Sequence, residues 1–206
     1  MTQIIEENRG RPRSFDENEV LNASIPLFLQ AGYFGISISE ILQATKLERS
    51  SFYLAFGDKV SFYCKVLRLY HARAFAIMKQ DLYSEGHFVE GFNKVIDFYY
   101  DNCTQEDFNY GCLTANAATE VDEKHELISR TVGELRQSMV DLYAGRLEQA
   151  KRDGQTSGDF DAVSSAQFLK CCLDGMAIHA RGQKNLSSVD QICDHIRDIV
   201  KSWKNA

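Results

Sequence analysis

The sequence predicts an all-α fold of about nine helices, and three observations predict it. Its two prolines are Pro12 and Pro26, so residues 27–206 contain none. Proline removes a backbone donor and clashes with the preceding turn, and a long proline-free stretch therefore favours helices. Apolar residues recur at three- and four-residue spacing, the period of a helix face. Helix start and stop residues punctuate these runs in the right order. Hydrophobic residues make up 44% of the 206 and aromatics 11%, which supplies a substantial core and excludes global disorder.

Residues 1–14 are polar and aperiodic and read as a flexible basic arm. Asp16 then opens a first helix whose apolar face includes Val20, Leu21, Leu27 and Phe28, with Gly32 as its stop and a kink expected at Pro26. Ser37 and Glu40 fit a capping box, starting a short helix that carries Ile38, Ile41 and Leu42. The tight turn Thr45-Lys46-Leu47 leads to a second short helix, Arg49 to about Phe56, stopped by Gly57. Asp58 caps a long amphipathic helix through about Leu82. Two short helices joined by a three-residue turn and flanked by longer ones form a tri-helical DNA-binding arrangement. Beyond residue 86 the pattern predicts helices over 87–102, 111–121, 123–153, 160–182 and 188–204, with Ser187 to Asp190 as a further cap. The pattern thus divides the chain into a helix-turn-helix domain, residues 15–62, and a larger helical domain, residues 63–206.

The formal net charge is −6, from 23 Lys+Arg against 29 Asp+Glu. That balance argues against coating nucleic acid through bulk charge, yet allows a reader with a small, local positive surface. The N-terminal segment is too polar and acidic for a secretory signal, and no apolar run is long enough to cross a bilayer. A cytoplasmic protein without membrane contact is expected. Its six cysteines form no CxxC pair and read as reduced thiols, not a disulfide framework or a zinc cage. No cofactor is expected: Asp122, Glu123, His125 and Glu126 cluster on a polar face without a second metal-ligand motif, and neither a phosphate loop nor a nucleophile elbow occurs.

The segment Asp16 to Phe62 resembles the DNA-binding domain of the TetR/AcrR family. The resemblance rests on Phe28 and Gly32-Tyr33 at the end of the first helix, Ser37…Glu40-Ile41 at the start of the second, and Ser51-Phe52-Tyr53…Phe56-Gly57-Asp58-Lys59. It implies that Arg49 to Phe56 is a recognition helix lying in the major groove. Arg49 and Ser50 would then meet base edges or phosphates, Ser51 a phosphate, and Tyr53 the backbone; Lys59 adds charge beside helix N-terminal amides. Ser37, Ser39 and Leu54 complete the expected contact surface. Two departures stand out. Lys46 occupies a turn position where the family commonly has glycine, a strain of about 1 kcal/mol if left-handed. Leu54 and Ala55 replace more polar residues and leave few side chains to read bases. In the arm, Arg9-Gly10-Arg11-Pro12-Arg13 resembles the core of an AT-hook, whose arginines would enter a narrow minor groove; the other reading is a solvating tail.

The resemblance further implies a homodimer through the last two helices, a palindromic operator, and repression relieved by a small-molecule effector. Phe168, Leu169, Cys172, Leu173, Met176 and Ala180, with Gly175, stripe one interface helix; Val189, Ile192, Ile196, Ile199, Val200 and Trp203 stripe the other. Both stripes also fit intramolecular core. An effector pocket is expected among Phe98, Tyr99, Phe108, Cys112, Asn116, Tyr143, Phe168 and His179, whose aromatic walls suit an apolar or aromatic ligand. Cys112 follows Gly111 at a predicted helix start, where the dipole favours a thiolate. Its GCL segment resembles that of family members which sense electrophiles or oxidants through a cysteine; the alternative is a small residue packing at a helix start. The competing function is an all-helical scaffold protein or enzyme of the same fold that has lost DNA binding.

Overall fold

The computed structural model describes residues 15–104, 110–121, 123–183 and 185–205. Among these residues the fold is all-helical: α1 (Glu17–Gly35), α2 (Ile38–Thr45), α3 (Arg49–Phe56), α4 (Lys59–Ser84), α5 (Phe88–Thr104), α6 (Leu113–Glu120), α7 (Glu126–Arg152), α8 (Ala162–Ala180) and α9 (Ser187–Ser202). Short 3-10 turns lead into α7 and follow α9.

Side-chain caps set the starts of α1, α2, α4 and α8. The Asn18 N–H donates to Asp16 Oδ1, Ser61 N–H to Asp58 Oδ1, and Ser164 N–H to Asp161 Oδ1, so three aspartates satisfy N-terminal donors that have no partner inside the helix. Ser37 and Glu40 close a reciprocal capping box at α2. At α9 the expected serine cap does not form. Ser187 lies inside the helix, Leu186 is the cap residue, and the Ser187 N–H is taken by Asn185 Oδ1 at 2.9 Å. Lys46 closes α2 in the left-handed region at φ 54, the conformation for which glycine is usual.

The first helix departs from expectation. Pro26 sits within helical backbone, and the non-helical residue inside α1 is Gly32, at φ 70 and ψ −178. The cause is tertiary: the Glu120 carboxylate occupies the space a side chain would need, with Oε1 2.3 Å from where a Cβ on Gly32 would lie. Gly32 therefore bends the chain instead of ending the helix, which runs on to Gly35.

Two apolar cores are present. One gathers Phe28, Ile41, Phe52, Phe56, Phe62 and Tyr63. Its rings touch, with centroids 4.6 Å apart for Phe28 and Tyr63 and 4.9 Å for Phe52 and Phe62. Burying each such side chain stabilises by about 1.5–3 kcal/mol. This core does not stop near residue 62. It continues through Val66 and Leu67 of α4 into Leu113 and Ala117 of α6 and Ile128 and Val132 of α7. The second core joins Met78, Leu82, Phe92, Tyr143, Leu173, Met176, Val189 and Val200. Arg146 is buried there and donates from Nε to the Leu82 carbonyl at 3.0 Å, satisfying an acceptor near the C-terminal end of α4. Helices α4, α6 and α7 thus each belong to both cores.

Candidate DNA-reading face and effector cavity

Helix α3, the expected recognition helix, is fastened from behind and bare in front. Phe52 and Phe56 are buried, while Leu54 is 83% exposed and Tyr53 43%. Arg49 and Ser50 share the exposed side, and Ser51 is half-buried. Arg49 also ties α3 to α2, donating to Ser39 Oγ at 3.1 Å. Ser37 is committed to the capping box. Lys59 is half-buried, its ammonium 4.4 Å from the centre of the Tyr33 ring, which anchors the α4 start against α1. Arg49, Ser50, Tyr53 and Leu54 form one outward surface. The arm arginines Arg9, Arg11 and Arg13 lie outside the described residues.

Behind this head, α4 runs from the Asp58 cap to the wall of an internal cavity. Tyr70, His71, Ala74 and Met78 supply the α4 wall, Phe98, Tyr99, Asn102 and Cys103 the α5 wall, and Cys112 and Thr114 the α6 end. Leu135, Arg136 and Met139 come from α7 and Lys170 from α8. The space open to the centre of a water molecule is only about 20 Å³, room for about one water. Gly111 makes the approach of Cys112 possible: it has φ +73, and a Cβ there would lie 2.6 Å from the Ala177 carbonyl.

Burial dominates the electrostatics of this cavity. It raises the phenols of Tyr70 and Tyr99 well above their ordinary values and pushes the Cys103 thiol up to about 12. His71 is held below the usual histidine range, first by burial and then by Lys170, while its Nε2 lies 2.8 Å from Ser138 Oγ. Lys170 and Asp174 are both buried and ion-paired, and Arg136 Nε lies 3.3 Å from Asp174 Oδ2.

The eight residues expected around the ligand are only partly brought together. Phe98, Tyr99 and Cys112 line the cavity. Cys112 is the N-cap residue of α6, with its Sγ 3.2 Å from Thr114 Oγ1. Tyr143 lies just behind the wall, fully buried, its hydroxyl directed at Met78 Sδ at 3.3 Å. Asn116 points away and donates to the Tyr110 carbonyl at 2.7 Å, bracing the approach to α6. Phe168 and His179 fall on the other side of α8: Phe168 is 50% exposed, and His179 lines an open groove between α8 and α9. A helix turns about 100° per residue, so one apolar stripe cannot serve the cavity and the outer face together. Phe108 lies outside the described residues. The groove itself is lined by Cys172, Gly175, Ile192, His195 and Ile199. Within the striped sets, Leu169, Leu173, Val189, Ile196 and Val200 are buried in the single chain.

The family model described as "Tetracyclin repressor-like, C-terminal domain" matches residues 89–204. The chain belongs to the TetR family of transcriptional regulators. Among its TetR-like relatives, the HTH-type transcriptional repressor ComR of Escherichia coli (strain K12) is 29% identical over 194 residues, 93% of this chain and 91% of that protein. The HTH-type transcriptional repressor NemR of the same organism is 22% identical over 178 residues, 84% and 88% of the two chains. A cysteine mutant of the TetR family regulator CifR, solved with 26bp double-strand operator DNA, superposes with a TM-score of 0.83 at 23% identity, covering 94% of this chain and all of that one. The reduced form of E. coli NemR superposes with a TM-score of 0.78 at 19% identity, over 88% of this chain and 95% of that one.

In this TetR family chain the sequence reading missed the polar half of the cavity. Tyr70 and His71 of α4, Arg136 of α7 and Lys170 of α8 line it, and none of them was among the expected ligand contacts. Lys170 directly follows the apolar pair Phe168-Leu169, a signal that it sits at the edge of a buried stripe. Nothing local marks Glu120, whose carboxylate meets α1.

Proposed function

We propose that this chain is a homodimeric DNA-binding repressor, gripping a palindromic operator with α3 and releasing it when a small molecule enters the α4–α8 cavity. One observation carries the reading. The cavity has about 20 Å³ open to a water centre, and α4, which forms one wall, is separated from α3 by Gly57 and Asp58 alone. Any organic effector must part α4 from α5 to α8, and a displaced α4 carries α3 with it. The spacing of two linked α3 helices, about 34–36 Å for adjacent half-sites, then no longer matches the operator. The DNA-bound CifR structure supports the operator part of this reading through its shared fold. The exposed Arg49, Ser50, Tyr53 and Leu54 support base and phosphate contact, with Leu54 suited to a thymine methyl group.

Selection from a random DNA pool tests it: the wild type enriches an inverted repeat, and a Tyr53→Ala/Lys59→Ala variant of equal melting temperature enriches none. A wild type that enriches no symmetric site favours a scaffold protein or enzyme that has lost DNA binding.

A thiol-reactive signal is a second reading, favoured by the position of Cys112 in the cavity wall at the α6 start. A modified Cys112 adds bulk where about 20 Å³ is open. N-ethylmaleimide then lowers operator affinity in wild type and in Cys103→Ser, and leaves Cys112→Ser unaffected. A Cys112→Ser protein that responds like wild type makes Cys112 ordinary packing.

A further inference from the structure

The charges around the cavity are unbalanced in one direction. Lys170 is 4% exposed and Arg136 borders the same space, and both lean on the single carboxylate of Asp174. At 3.3 Å from Asp174 Oδ2, Arg136 Nε is an ion-pair partner without hydrogen-bond alignment. Arg136 Nε and Asp174 Oδ2 face each other, and neither has a hydrogen-bond partner among the described residues. Two cations that share one carboxylate leave a positive excess, which a ligand carrying negative charge offsets. Burial and Lys170 also keep His71 neutral longer than usual, so it stands beside the two cations as a polar contact. The remainder of the wall is aromatic and thioether surface from Phe98, Tyr99 and Met78. A neutral apolar ligand would complete that half of the site and leave two cations against the one Asp174 carboxylate at the other.

We infer that the effector of this regulator is a small organic anion, a carboxylate on an aromatic or similarly flat apolar body, whose charged end is held by Lys170 and Arg136. This rests on the proposed reading of the cavity as the effector site, and it replaces the apolar ligand the sequence suggests by one with a charged end. Arginine presents planar paired donors to a carboxylate, whereas Lys170 adds a point charge.

The test compares acids with their neutral isosteres. Benzoate and phenylacetate, each against its amide, are titrated calorimetrically into the full-length wild-type protein, and operator release is followed with the enriched site. The acids bind at least about tenfold tighter than the amides, the margin of a charge-assisted contact. Arg136→Gln and Lys170→Met reduce that margin severalfold or more, and Lys170→Arg retains it. Arg136→Gln alters a side chain 41% exposed, so it decides the matter if Lys170→Met fails to fold. Amides that bind as tightly as the acids and release DNA overturn the anion while leaving the cavity as effector site. Acids whose advantage survives in Arg136→Gln overturn it too. If neither class binds, both the anion and the cavity reading fall.

Discussion

The backbone N–H of Tyr33 donates to Glu120 Oε2 at 2.7 Å, across 87 residues of sequence. It sits at the bend made by Gly32, so the last residue of α6 occupies the kink of α1. Arg181, just after α8, approaches Glu120 Oε1 at 3.9 Å and donates to the Gln30 carbonyl at 3.4 Å. The ends of three helices therefore meet at one carboxylate, and Lys59 lies over the Tyr33 ring on the DNA side. Displacement of α6 from the cavity has a direct path to the head.

Removing this carboxylate should loosen the head from the body. Glu120→Ala leaves the Tyr33 N–H without its acceptor, a loss of about 1–3 kcal/mol. We expect a lower melting temperature and weaker operator binding, with Glu120→Gln closer to wild type because it keeps an acceptor. A Glu120→Ala protein with unchanged operator affinity would show that the junction does not position α3.

The α4 cap should make stability depend on acid. The Ser61 backbone N–H holds the Asp58 carboxyl below its usual range, so folding favours the ionised form. The sign follows: the contribution is complete above the unfolded value of about 3.9 and is lost as pH falls through the lower folded value. Asp58→Ala should cost about 1 kcal/mol at neutral pH. Denaturant titrations at pH 7 and near pH 3 check this, the difference from wild type shrinking at the lower pH.

Lys59→Ala should weaken binding to all operator variants about equally and reduce the salt slope by about one unit, as loss of one phosphate contact does. A selective loss on one operator variant, with the slope unchanged, would count against a phosphate role.

The outer faces of α8 and α9 should hold the dimer. Ile196 is 3% exposed in the single chain, so a charge there would unfold the protomer and report nothing about assembly. Phe168, 50% exposed, and Ile192, in the open groove, are better targets. Phe168→Glu/Ile192→Glu should sediment as a folded monomer with reduced operator affinity. A variant that remains dimeric moves the interface elsewhere.

Most helix starts were legible because caps are local: Asp16, Ser37 and Asp58 bond to amides two or three residues on, and residue type with spacing suffices to find them. The helix-turn-helix was legible for the same reason, since α2, the Lys46 turn and α3 form one continuous segment. Helical period also marked the buried face of α9, with Val189, Ile196 and Val200. What period cannot decide is which neighbour a buried face meets. Phe168 and Tyr99 look alike as aromatic members of amphipathic helices, yet one faces outward and the other lines the cavity. Lys170 and Arg136 look like solvent charges until α7 and α8 pack them against one carboxylate. The bend at Gly32 instead of Pro26 likewise follows from Glu120 arriving from a distant helix. Cap bonds and helical period are set by residues within a turn of one another. The cavity, its charge and the head–body junction arise where helices far apart in sequence are pressed together, and there only packing in three dimensions decides.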